Sequence, residues 1–282
     1  MNAADAPAAP ADNAQPHSPE AQHDAWRAAR HAAVTSATGN LSLIETRWFA
    51  GGVAGGAANA ANAAGAANAH ADIDAAEAER LVESERAAAK PGITVTPLER
   101  KNISTGHAEF GLRVWDANAP AIRAFERIET FPFDPSWIID AEFTPVSADR
   151  TVPFEHIRDA GGSRDLVVPG DITFERDGQT FTLAAFDDAG QLLLVFGDPT
   201  NGRDDETGTY GAGRFLFVER EADQYGETGH VRLDFNRAFV PPCGFSAQYN
   251  CPMPPAQNRL PWPVHAGERL PRFADGFDIY TV

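Results

Sequence analysis

Residues 171–196 read DITFERDGQTFTLAAFDDAGQLLLVF. Runs rich in Val, Ile, Leu, Phe and Thr are divided at Asp177-Gly178 and again at Asp188-Ala189-Gly190. Asp-Gly between two such runs suits a two-residue hairpin turn, whose central residues both take positive φ. The second break predicts another reversal of the same kind. The stretch therefore reads as three antiparallel strands.

The same pattern extends outward in both directions. GITVTPL (92–98), FGLRVW (110–115), WIIDAEF (137–143), DLVVPG (165–170), RFLFV (214–218) and VRLDF (231–235) are short apolar runs separated by Gly, Pro, Asp and Asn. Many short strands with turn residues between them point to a mainly β fold, an antiparallel sandwich or open barrel. One short helix is expected to interrupt them, opened by Pro120 and lined on one side by Ile122, Phe125 and Ile128.

Before the strands the chain reads differently. Residues 1–17 are mostly Ala, Pro, Asn and Asp, a composition too polar and too small to bury much surface, so a disordered tail is expected. Ser18, Pro19 and Glu20 form a helix start running to about Ala33, with Trp26, Ala29 and Ala33 on one face. LSLIETRWF (41–49) reads as a short strand carrying Trp48 inward. Residues 50–71, rich in Gly, Ala and Asn, predict a flexible insertion. Asp72 to Lys90 reads as a peripheral helix stopped by Pro91-Gly92. From residue 18 to 282 a single β-rich domain is expected.

Past Phe235 the chain carries a dense share of its 21 prolines, in FNRAFVPPCGFSAQYNCPMPPAQNRLPWPV (235–264). Proline donates no ladder hydrogen bond, so this cannot be a central strand. It is expected to lie as an extended tract over the sheet, pinned by Phe239, Phe245, Met253 and Trp262.

The charge balance narrows the function classes. Over 282 residues, 23 Lys+Arg stand against 40 Asp+Glu, a net charge of −17, and no basic cluster occurs. Nucleic acid and anionic membranes both call for a basic footprint, so neither is an expected partner. No run is apolar enough for a membrane span, and the first residues lack the basic and apolar regions of a signal peptide. The expected location is cytoplasmic, with Cys243 and Cys251 reduced.

Two segments carry a family resemblance. TYGAGRFLF (209–217) and LDFNRAFVPPCGFSAQYNCPMPPAQNRLPWPVHAGE (233–268) resemble the bacterial domain-of-unknown-function family sixteen-eighty-four, whose pattern is TYGAGRFL, DFNRAYNPPCAF, a second CP, PPENRLP and AGE. Weaker similarity reaches back through Trp26-Arg27, LSLIETRWF, LRVWDANAP, FPFDPSW and GDPTNG. The resemblance implies one domain and carries no established activity. Phe239, Val240 and Gln257 depart from the family's Tyr, Asn and Glu, so a role needing those polar groups is not supported here.

Candidate chemistry gathers in the same segments. Cys243 and Cys251, eight positions apart, read as a nucleophile with His230 or His265 as base, as a redox pair, or as two buried cysteines. Their spacing does not suit a zinc site. Asp234 and Asn236 share one face of a strand end, either to hold a ligand or water or to satisfy the following turn. Arg214 beside Tyr210 is a candidate anion clamp, or else a partner of Asp234 or Glu268. Asn258 and Glu268 complete the candidate ligand-binding set, although capping duty in the proline tract is the default for Asn258. DPTNGRDDE (198–206) misplaces the glycine and glutamate of a calcium loop and reads as a solvated acidic turn. No metal site and no cofactor is assigned.

Two functions from different classes remain. One is binding of a small polar or anionic metabolite between strand ends and the proline tract, with hydrolysis by a carboxylate base as its catalytic extension. The other is a non-catalytic scaffold that presents Phe239, Phe245 and Trp262 to a protein partner. The sequence does not determine an oligomeric state.

Overall fold

The computed structural model describes residues 18–49, 73–103, 105–147, 149–221, 225–274 and 276–281. The expected tail at 1–17 and the whole of the insertion at 50–71 lie outside them. In chain order, helix α1 (Pro19–Val34) leads to strand β1 (Leu43–Trp48), helix α2 (Ala75–Ala88), strands β2 (Ile93–Lys101) and β3 (Ala108–Asp116), helix α3 (Pro120–Ala124) and β4 (Phe125–Thr130). There follow β5 (Ile138–Pro145), β6 (Thr151–Glu155), β7 (Ser163–Val167), β8 (Gly170–Arg176), β9 (Gln179–Asp188) and β10 (Gln191–Phe196). The last strands are β11 (Arg214–Phe217), β12 (Glu219–Arg220), β13 (Gly229–Asp234) and β14 (Glu268–Phe273).

The two hairpin signals mark true reversals. Asp177 and Gly178 both have positive φ, as do Ala189 and Gly190, so β8, β9 and β10 pair in antiparallel order. Seven strands form one antiparallel sheet in the order β11-β10-β9-β8-β5-β13-β12. Its two edge strands are consecutive in the chain, separated by Val218 alone. The sheet is therefore curled until its edges nearly meet, giving an almost closed barrel with a seam between β11 and β12–β13.

Alternation along β9 and β10 explains why these strands read as continuous apolar runs. Leu183, Ala185, Leu192, Leu194 and Phe196 enter the barrel core with Phe143, Ile172 and Leu233. Ala184, Phe186, Leu193 and Val195 face the other way, into a second core with Phe154, Trp115, Tyr249, Cys243 and Cys251. A sheet covered on both faces needs no polar side, so the period-two signal is replaced by an unbroken one. The cover is the proline tract, the β6–β7 hairpin and the three-stranded sheet β1-β3-β2.

Several local expectations need correction. Ser18 caps α1 through the Ala21 N–H, as its position implies, but Ala29 and Ala33 are exposed. The helix packs instead through His23, Trp26, Arg30 and Val34, which share one face at three- and four-residue spacing. Trp48 is half-buried beneath the Arg100 guanidinium, 3.8 Å from its ring, while Leu43 is the β1 residue that enters the core. The helix opened by Pro120 ends at Ala124, and Phe125 and Ile128 belong to β4, paired with β14. Pairing with a strand far downstream overrides a local helical spacing. Among the described residues, no helix is long and apolar enough to cross a membrane.

Candidate functional site

The proline tract lies on the sheet, held by polar side chains that replace the ladder bonds prolines cannot make. Asn258 is fully buried. Its Oδ1 accepts from the Ala184 N–H at 2.9 Å, and its Nδ2 donates to the Ala184 and Val195 carbonyls, both at 2.8 Å. The side-chain amide thus sits where the β9–β10 ladder ends. Beside it, the Gly197 N–H donates to the Asn258 carbonyl at 3.1 Å, and the Gly197 carbonyl accepts from the Leu260 N–H at 2.8 Å.

Arg214 is also fully buried, and its partner is Asp198 at 2.9 Å rather than Asp234 or the Glu268 carboxylate. It donates further to the carbonyls of Val264, Ala266 and Glu268. Burial lowers its pKa, and the Asp198 carboxylate opposes that shift. A guanidinium so enclosed presents no face for an incoming anion. Asp198 accepts from the Thr200 N–H and hydroxyl and from the Val264 N–H, so the acidic turn begins with a buried anchor and becomes solvated only farther along. An aspartate separated from the end of an apolar run by Gly197 alone, and two residues before Thr200, was the available signal.

Glu268 is buried and receives Arg30 Nε at 3.0 Å and the Val240 N–H at 2.8 Å. Burial raises its pKa, with Arg30 working against that shift. Asp234 and Asn236 form a separate clip. Asp234 Oδ1 accepts from the Asn236 N–H and Nδ2 at 3.1 and 3.0 Å, and Asn236 exchanges two bonds with the Asp134 backbone. The turn-satisfying arrangement is the observed one. His23 Nε2 adds a 3.0 Å contact to the Asn236 carbonyl and ties α1 to the same turn.

The cysteines are free, buried and in contact. The Cys243 N–H donates to Cys251 Sγ at 3.3 Å. Hydrogen bonding from the Cys251 thiol lowers the Cys243 pKa, burial resists this, and the Tyr210 hydroxyl and Arg158 add to the lowering. The Cys251 thiol is held well above its ordinary value, first by Cys243 and then by burial. Tyr210 is raised by burial and by Cys243. Neither candidate histidine serves here. His230 contacts Asp140 and Glu221 on the surface, and His265 packs on Phe131.

A cleft of about 210 Å³ opens outside the barrel at its seam. Helix α1 supplies Trp26 and Arg30, the end of β11 supplies Phe217, β12 supplies Glu219, and the start of the proline tract supplies Arg237 and Phe239. Phe217 is 43% exposed and stacks on Phe239 at 5.5 Å, and the Arg30 guanidinium lies 4.9 Å from the Phe239 ring. Phe239 is fixed by an antiparallel bridge to Phe215. Arg237 meets Glu219 at 2.5 Å and Asp234 at 3.4 Å. Thus Glu268 and Asp234 stand behind the two arginines of the cleft, while Tyr210, Arg214, Asn236, Cys243 and Asn258 do not line it. Phe217, Glu219 and Arg237 were not singled out from sequence. Alternation in RFLFV puts Phe215 and Phe217 on one face, but nothing local shows that this face reaches the seam.

Over residues 123–269, more than half of its length, the chain matches proteins described as "Protein of unknown function (DUF1684)". Among solved structures it is similar to the solution NMR structure of an uncharacterized protein from Haloarcula marismortui, at 30% sequence identity, with 51% of this chain and 77% of that one covered and a TM-score of 0.41. No curated protein matches it. The chain belongs to the DUF1684 family of proteins of unknown function, the family that its TYGAGR, DFNRAF and NRLP segments resemble.

Proposed function

We propose that the protein binds a small anionic ligand with a planar ring in the seam cleft. The observation that carries this reading is the meeting of Trp26, Phe217 and Phe239, from three separate segments, around a cleft that also holds Arg30 and Arg237. An exposed phenylalanine stacked on a second ring is a ready surface for a third, because offset stacking adds to area burial. An apolar cavity of about 150 Å³ takes up benzene, so a cleft of about 210 Å³ suits one substituted ring. The guanidiniums supply the forked donors that a carboxylate or phosphate accepts.

Arg30 is engaged by the buried Glu268, and Arg237 by Glu219 and Asp234; Glu219 is the exposed carboxylate of the three, which makes Arg237 the anion-facing group. Its surface partner, Glu219, is 42% exposed at the side chain and can swing away when a ligand carboxylate takes its place. The carboxylate of the lining, Glu219, is paired with Arg237, which favours a binding reading over a carboxylate base for hydrolysis. The scaffold alternative finds less support. Phe245 is fully buried and Phe239 and Trp262 are partly buried, so the tract does not present them together as an open patch.

Calorimetric titration with a panel of aryl carboxylates, set beside aliphatic acids of equal charge, tests the proposal. Aryl acids should bind more tightly than aliphatic ones. Phe217→Ser and Arg237→Gln should each weaken binding by roughly tenfold, the size of a lost stack or charge-assisted bond. Glu219→Gln should tighten it by removing a competitor. Absence of binding across the panel, or binding indifferent to Phe217→Ser and Arg237→Gln, would refute the site.

A further inference from the structure

The dithiol beneath the proline tract is separate from the seam cleft and plays no part in the binding just proposed. Cys243 and Cys251 are the chain's two cysteines, and the fold brings them together. Cys243 sits in a 3-10 turn that begins at Pro242, and its own N–H points at the Cys251 sulfur. Tyr210 packs against the same buried cluster as the two cysteines, and its hydroxyl, raised far above its ordinary pKa and so kept protonated, favours the ionised form of Cys243. Arg158, whose Nε donates to the Tyr249 carbonyl at 3.1 Å, and Arg113, 5.1 Å from the Tyr249 ring, place two positive charges nearby. Cations and hydrogen-bond donors favour ionisation of a thiol, and a second thiol in contact supplies a resolving partner.

We infer that Cys243 and Cys251 form an oxidisable dithiol that takes hydroperoxides as its oxidant and closes to an intrachain disulfide, with Cys243 as the attacking sulfur and Tyr210 as its positioning residue. The Cys243 sulfur attacks the peroxide oxygen and the O–O bond breaks. The leaving oxygen departs as water or alcohol with the thiol's proton, and Cys243 becomes a sulfenic acid. Cys251 then attacks that sulfur. The S–S bond forms, the S–O bond breaks, and the hydroxyl leaves as water with the Cys251 proton. Two thiols are oxidised by two electrons and one hydroperoxide is reduced. Both residues are nearly enclosed, at 4% and 5% exposure, so the oxidant has to be as small as a hydroperoxide.

The loop that the bond would close carries contacts joining the three-stranded sheet β1-β3-β2 to the proline tract. Ser246 Oγ donates to the Leu43 carbonyl at 2.8 Å, Gln248 pairs with Thr46, and Tyr249 meets Trp115 edge-on. Closure would therefore staple a clasp that is already in place.

The test treats the reduced, folded full-length chain with hydrogen peroxide and reads intact mass and alkylatable thiols after denaturation. The expected product is a monomer lighter by about 2 Da, with both thiols lost and both restored by dithiothreitol. Cys251→Ser should stop at the sulfenic acid, trapped by dimedone. Tyr210→Phe should slow oxidation roughly tenfold, as loss of a bond to a charged group implies, and should shift the pH profile of Cys243 alkylation upward. A merely structural Tyr210 would leave that profile in place. Two thiols that stay alkylatable, a mass gain without the paired loss, or an intermolecular dimer would each overturn the inference. The wild-type mass measurement decides even if a variant fails to fold.

Discussion

Replacing Asn258 should destabilise the protein more than any surface change, and the amount follows from its three bonds. Asn258→Ala removes the partner of the Ala184 N–H and of the Ala184 and Val195 carbonyls, all deep beneath the tract. A typical intramolecular hydrogen bond contributes about 1 kcal/mol net, and a buried group left unpaired forfeits about 1–3 kcal/mol. Three such groups, partly rehydrated through the space the side chain leaves, place the loss at roughly 4 kcal/mol. At about 2–4 °C per kcal/mol for a chain of this size, the melting temperature should fall by roughly 8–16 °C. Urea denaturation measures the free energy directly. Hydrogen exchange adds a local check, because the Ala184 amide should lose protection before its neighbours.

The isosteric change Asn258→Asp sharpens the test. It keeps the volume but turns the two-proton donor into an acceptor facing two carbonyls. At neutral pH it should cost more than Asn258→Ala, with partial relief in acid once the carboxyl is protonated. A loss below about 1 kcal/mol for Asn258→Ala, or equal losses for the two variants, would show that the amide fills space and does not stand in for a strand.

Two further outcomes follow from the buried charges. Asp198→Asn strands the Arg214 guanidinium and should cost about 3–5 kcal/mol by urea denaturation, while a double change to Asp198→Leu and Arg214→Met should recover part of that loss. Glu268 has its pKa raised by burial above the ordinary 4.5, so its contribution to stability is full below that value and is lost as pH rises through the raised one. Asp159 runs the opposite way: burial works against it, but Arg164 wins and lowers its pKa, so its contribution is lost in acid. The stability difference between wild type and Glu268→Gln, followed against pH, therefore isolates Glu268. That difference should change above about pH 4.5 and stay flat below it. A difference that is constant with pH would contradict the assignment.

Legibility from sequence tracked the range of the interaction involved. The Asp177-Gly178 and Ala189-Gly190 turns and the Ser18 cap are decided within a few residues, and the chain adopts them where it should. The β4–β14 pair joins segments more than a hundred residues apart, and no local pattern announced that Phe125 would leave its helix for Phe273. The same limit governs the site. Arginine and asparagine usually read as surface residues, yet Arg214 and Asn258 are fully buried because the tract brings carbonyls to them. The cleft was hidden for the converse reason. Phe217 reads as a core residue of a strand, and its exposure depends on where the barrel fails to close.

The residues that carry the family resemblance are chiefly fasteners, and the prolines explain why fasteners are needed. A strand can hold a covering segment with backbone N–H groups, but a proline-dense tract has too few of them. Polar side chains supply the missing bonds: Asn258 at β9 and β10, Arg214 at the carbonyls of 264, 266 and 268, and Glu268 at the Val240 N–H. Each fixes a stiff segment at a set height above the sheet. The beneficiary is Phe239, which reaches the seam on that segment and meets Phe217 there, while Arg30, held by Glu268, braces it from α1. A wall built on a rigid tract keeps its shape when no ligand is present, and such preorganisation lowers the entropy lost on binding. On this argument the buried polar cluster and the open aromatic cleft are two ends of one device, and loosening the first should widen the second.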